Sequence, residues 1–135
     1  MPVVTDKIVS FKPGNQVFVD SIGPDAVHFV VFEDDGDTGY VYACQFSDSD
    51  KRQEILDTVH IYNVKDVVDK DLESECKIGW SPDGHAAILM INRYPHAVAD
   101  FKLMRLFSRT NFPKADGNWS KQGHQWEEEA LRPFK

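Results

Sequence analysis

Four acids fall within five positions, Glu33, Asp34, Asp35 and Asp37, between the apolar runs AVHFVVF (26–32) and YVYACQF (40–46). Carboxylates this close suit three roles: calcium ligation, the polar reversal of a hairpin, or a surface for a basic partner. A helix–loop–helix calcium site needs oxygen ligands at positions 1, 3 and 5, glycine at 6 and glutamate at 12. Counting from Glu33 puts Thr38 at position 6 and Cys44 at position 12, and counting from Asp35 puts Gly39 at a ligand position. Both registers fail. The acids therefore read first as a turn, in which Gly36 and Gly39 supply the backbone freedom a reversal needs.

The other residue types that carry chemistry are scattered. His28, His60, His85, His96 and His124 show no HExxH spacing, and Cys44 and Cys76 form no CxxC pair, so no metal centre is expected. His85 and His96 fall on opposite ends of an expected hairpin, about 20 Å apart at strand rise. There is no GxSxG elbow, no GxGxxG and no phosphate loop, so no catalytic residue and no cofactor is assigned. The stretch holding Lys102, Arg105, Arg109 and Lys114 has Phe101, Phe107 and Phe112 as neighbours, a mixture that can stack bases in RNA binders. Four cations beside a strongly acidic half are a weak signal for nucleic acid, and pairing or solvation explains them.

Charge is unevenly distributed. The 135 residues carry a formal net charge of −7. Residues 1–75 hold 6 Lys/Arg against 16 Asp/Glu, giving −10, and residues 76–135 hold 9 against 6, giving +3. An acidic first half repels nucleic acid and attracts a basic protein surface. No apolar run is long enough for a membrane helix, and MPVVTDKIVSFKPG lacks the pattern of a signal peptide. With two isolated cysteines, this predicts a cytoplasmic protein with free thiols.

These residues must be held by elements that the chain itself punctuates. NQVFVDSI (15–22) alternates like a strand, and residues 26–32 and 40–46 form a hairpin pattern. SDSDKRQEILDTVHIYNV changes period: Asp50 with Gln53 is a capping-box arrangement, and Ile55, Leu56 and Val59 recur at helical spacing. A short helix across the sheet is predicted there. CKIGWSPDGHAAILMINRYPHAVADFKLMRLF reads as a meander with reversals at SPDG (81–84) and NRYP (92–95). Pairing Ile91 with His96 places Leu89 and Ala87 opposite Val98 and Asp100, with apolar residues on both faces, so this hairpin is expected to be central. The fold class is α+β. One domain over residues 1–135 is expected, with a bent antiparallel sheet, one inserted helix and a C-terminal tail (114–135) anchored by Trp119 and Trp126.

The blocks EDDGDTGYVYA, EILDTVHIYNV, WSPDGHAAILMINRYPHAVADF and RTNFP resemble the bacterial proteins grouped as domain of unknown function 2251, over about residues 28–113. The resemblance implies a small bacterial cytoplasmic protein and transfers no catalytic residue.

Two functions of different class follow. The first is a non-catalytic protein-binding protein, concretely an immunity protein that neutralises a basic, nuclease-like toxin. Glu33, Asp34, Asp35 and Asp37 would form its rim, and Tyr40 or Tyr62 its anchor. The second is a small ligand-binding domain or enzyme with a site where sheet meets helix, using His60, Arg93, His96 and Asp100 with Trp80 lining the pocket. Self-assembly through a sheet edge is a third reading.

Overall fold

A computed structural model describes residues 2–48 and 51–135. The alternating segment near the N-terminus forms a strand, and the two aromatic runs form a hairpin. After β1 (Val4–Phe11), these strands are β2 (Val17–Ile22), β3 (His28–Asp34) and β4 (Thr38–Phe46). Next in the chain comes β5 (Gln53–Asn63). The meander also forms, as β6 (Ser74–Trp80), β7 (Ala86–Ile91), β8 (Tyr94–Asp100) and β9 (Arg105–Ser108). At SPDG the Gly84 amide donates to the Ser81 carbonyl at 2.9 Å, and Gly84 takes φ +78°, a conformation glycine adopts without steric penalty.

Where a helix was predicted, β5 runs for eleven residues paired antiparallel to β4. Asp50, the expected cap, lies outside the described residues. A bulge explains the misleading spacing. Ala43 pairs with Asp57 but Cys44 pairs with Ile55, so Leu56 is an extra residue that puts the period-two pattern out of phase. Over Ile55–Val59 the result mimics a helical stripe. Beyond it, Val59 and Ile61 alternate into the core, and β-branched and aromatic content favours a strand. The only helical segments among the described residues are 3-10 turns at Val64–Asp66 and Glu128–Phe134.

The expected single bent sheet is also corrected. Two open antiparallel sheets form, one in the order β1-β6-β7-β8-β9 and one in the order β2-β3-β4-β5. They bury one core between them, with Val30, Phe32, Val41 and Val59 meeting Ile78, Ala87, Leu89 and Leu106. Burying each valine, leucine, isoleucine or phenylalanine side chain contributes about 1.5–3 kcal/mol. The architecture is therefore an all-β two-layer arrangement rather than α+β.

The β7–β8 hairpin is central with both faces covered, but its register differs by a slip. Ile91 pairs with Tyr94 and Leu89 with Ala97, across a two-residue turn at Asn92 and Arg93, with φ 52° and 68°. That geometry matches the twist of the strands. A bulge beside His96 then shifts the ladder, so Ala87 faces Ala99 rather than Asp100. With apolar residues on both faces, hydrophobic pattern alone does not fix register. Ala86, Ile88, Met90, Val98 and Phe107 form the outer face of this sheet, and Trp126, Ala130, Leu131 and Phe134 of the C-terminal segment cover it. Trp119 enters the main core edge-on to Phe101, which stacks on Trp80.

Candidate functional site

The acidic hairpin is built on Asp34. Its carboxylate is 1% exposed; Oδ2 accepts from the Gly14 amide at 2.8 Å and the Tyr62 hydroxyl at 2.6 Å, and Oδ1 from the Gly36 amide at 2.8 Å. Asp34 is thus a structural acceptor inside the turn, which corrects its assignment to a contact rim. Tyr62 is corrected with it. Its ring packs so closely over Gly39 that a Cβ there would meet ring atoms at 2.7 Å, and its edge meets Phe32. The hydroxyl is held by Asp34, and burial together with that bond pushes the phenol well above its ordinary range. Asp35 organises the reversal as well. Its Oδ1 accepts from the Asp37 and Thr38 amides at 2.9 Å each, and those bonds hold the carboxyl below the usual range.

Asp35 and Asp37 remain exposed, and Glu33 is half-buried with Oε1 accepting from the Tyr42 hydroxyl at 2.9 Å. Burial, then this bond to Glu33, pushes Tyr42 up to about 12. Tyr40 is half-buried and stacks beside Tyr42, with its edge toward His60.

The strand registers place these residues on one surface. Across the four-stranded sheet run the rows Phe18–Glu33–Tyr40–His60, Asp20–Val31–Tyr42–Thr58 and Ile22–Phe29–Cys44–Ile55. They occupy the face away from the main core, which takes the alternate residues Val19, Val30, Phe32 and Val41. Phe29, Val31 and Cys44, with Tyr42 and Phe46, form a separate apolar cluster made only of β3 and β4 residues. Around it Phe18 is 64% exposed, Ile22 48% and Ile55 66%. In the other sheet the C-terminal segment covers the outer face of β7, β8 and β9. This face carries no such cover among the described residues. Phe18 and Ile55 were missed in sequence. In NQVFVDSI apolar residues fall on both strand faces, and Ser21 sits inside because the Trp80 indole N–H donates to its hydroxyl at 2.9 Å.

The alternative pocket does not assemble. His60 lies on β5, with Nδ1 3.0 Å from Thr110 Oγ1 and Nε2 3.0 Å from Asn63 Oδ1. Trp80 is buried beneath Phe101. Arg93 is exposed in the β7–β8 turn, at the opposite end of β8 from Asp100. His96 is half-buried edge-on to Tyr94, and burial, then the charge of Arg109, lowers its pKa. The helix that would have gathered these five is strand β5. Of the four basic residues between 102 and 114, Arg105 pairs with Glu127 at 3.1 Å and Arg109 lies 3.8 Å over the Trp126 ring.

One buried polar cluster went unseen in sequence. His124 is 1% exposed, with Nδ1 2.6 Å from the Pro113 carbonyl and Nε2 2.9 Å from Asp57 Oδ2, which also accepts from Ser120 Oγ at 2.5 Å. These are the residue types of a hydrolase triad in the wrong order. The carboxylate lies between hydroxyl and imidazole, so the histidine takes no proton from the serine. The set fastens the C-terminal segment to β5. Sequence separations of 63 and 67 residues gave no signal for it. Among the described residues, no three His, Cys, Asp or Glu side chains converge as a metal site, and no helix is long and apolar enough to cross a membrane.

Fold and surface together define a two-sheet antiparallel β protein with one sheet face left open. The chain belongs to the family described as an uncharacterised protein conserved in bacteria, domain of unknown function 2251, whose model matches residues 11–135. This bears out the resemblance seen in residues 28–113 and extends it to the C-terminus. An uncharacterised protein of Haemophilus influenzae is 38% identical over 108 residues, covering 73% of this chain and 66% of that relative. The match thus spans just under two thirds of the relative's length. No solved structure matches the chain.

Proposed function

We propose that this chain is a non-catalytic protein-binding protein whose contact surface is the open face of the four-stranded sheet. The observation that carries the reading is the exposure of Phe18, Ile22 and Ile55 around the Phe29–Val31–Cys44 cluster. An apolar centre with half-buried tyrosines, ringed by polar residues, is the anatomy of a recognition surface. Its rim is acidic. Asp20 and Glu33 lie within the rows, and Asp35 and Asp37 cap the adjoining hairpin. The partner is therefore a basic protein, drawn in by charge and held by the aromatic centre.

The concrete form of the proposal is an immunity protein that occupies the basic cleft of a nuclease-like toxin. Tyr40 and Phe18 are its anchors, and Glu33, Asp35 and Asp37 its steering charges. The test is the association rate with the captured partner for a Glu33→Gln, Asp35→Asn, Asp37→Asn variant. The amide oxygen introduced at position 35 keeps an acceptor for the turn amides. Slower association with a flatter salt dependence is expected. Rates and salt dependence equal to the parent protein would sink the acidic rim.

A further inference from the structure

A cleft of about 270 Å³ opens between the β6–β7 turn, the β8–β9 turn and the C-terminal 3-10 segment. Asp83, His85, Asp100, Lys102, Glu129 and Arg132 line it, with buried Ala86 and exposed Leu103 as apolar neighbours. Charges of both signs meet there, yet among the described residues none of the six forms an ion pair with another side chain.

Asp100 distinguishes the cleft from a solvated patch. It is the last residue of β8 and 5% exposed. Its Oδ1 closes the β8–β9 turn by accepting from the Lys102 amide at 3.1 Å and the Leu103 amide at 2.9 Å. Its Oδ2 accepts no hydrogen bond from the described residues. Burial raises the pKa of this carboxyl, with the charge of Asp83 adding to the effect. On a side chain this buried, that oxygen still keeps contact with solvent, and Asp100 lines the cleft, where a proton or cation can reach it. Lys102 lines the same cleft but makes no ion pair with Asp100.

We infer that the cleft binds a small zwitterion of the amino-acid class, its ammonium on Asp100 Oδ2 between Asp83 and Glu129, and its carboxylate toward Arg132 and Lys102. The unpaired charges of both signs then find partners in one molecule, and the volume admits a ligand of that size. This site is separate from the open sheet face and stands or falls without it.

The test uses amide chemical shifts of the full chain, with L-alanine and L-lysine as zwitterionic probes and propylamine and propanoate as single-charge controls. The zwitterions should move the Ala86, Asp100 and Leu103 amides at millimolar concentration, and the controls should act more weakly. Asp100→Asn keeps Oδ1 as turn acceptor and should weaken binding by roughly tenfold or more. Glu129→Gln, at a position with no side-chain ion pair in the fold, should weaken it severalfold and serves if the first variant does not fold. Silence with every probe, or shifts that survive both variants undiminished, would overturn the site. Propylamine binding as well as the amino acids would overturn the zwitterionic class.

Discussion

His124 of the C-terminal segment meets Asp57 of β5, Nε2 to Oδ2 at 2.9 Å, while His124 Nδ1 faces the Pro113 carbonyl at 2.6 Å. Both ring nitrogens point at groups that accept, an arrangement that favours the doubly protonated imidazolium over the neutral ring. Burial alone lowers its pKa, but the bonds to Asp57 and Pro113 outweigh it, and the net direction is upward from 6.5.

The sign of the pH dependence follows. A folded-state pKa above the unfolded value gives stability that is complete below about pH 6.5 and declines as the ring deprotonates above it. Each tenfold gain in the ring's proton affinity on folding is worth about 1.4 kcal/mol. Urea unfolding from pH 6 to pH 9 should show this decline, and His124→Gln should remove it. A parent protein with constant stability over that range would rule out the imidazolium.

Asp34 and its neighbours should separate stability from recognition. Asp34→Asn replaces one acceptor oxygen with a donor facing the donors around it and should destabilise by about 2–4 kcal/mol. Asp37→Asn, on an exposed side chain, should stay within about 0.5 kcal/mol. Denaturant midpoints check both, and equal midpoints for the two would refute the buried role of Asp34.

Trp119 fastens the C-terminal segment into the main core against Phe101. Trp119→Ala should cost about 3–5 kcal/mol, the range for removing a large buried aromatic. Thermal unfolding reads this directly. A loss under about 1 kcal/mol would mean that the segment docks without it.

The two thiols should be silent in the native state. Both are buried, and burial pushes Cys44 up to about 11 and Cys76 up to about 12. A thiol reagent at pH 8 should label neither until denaturant is added. Rapid labelling of either in the folded protein would contradict its packing.

Local chemistry was legible where turns and alternation agree. SPDG, the EDDGDTG reversal and the strands on either side of each could be read because glycine, proline and aspartate act on their own neighbours. β5 could not, because one bulged residue at Leu56 disguised period two as a helical stripe. The split into two sheets was also hidden, since it depends on β1 pairing with β6, partners separated by most of the chain's first half. The acids at 33–37 were found, but not which of them faces inward; Asp34 is claimed by Gly14 and Tyr62, both distant in sequence. Phe18 and Ile55 escaped because exposure is decided by what does not pack on them.

The central claim is that the open face of the four-stranded sheet, rather than the acidic turn alone, holds a protein partner. Its most direct test is parallel capture on the parent chain and on Phe18→Asp/Ile55→Asp from native cells, at low and high salt. Both substitutions sit on exposed side chains, and matched denaturant midpoints would establish that the fold is intact. The expected result is one stoichiometric basic protein on the parent chain, lost at high salt and absent from the variant at either. A partner retained equally by the variant, or no partner on the parent chain under either condition, would contradict the claim.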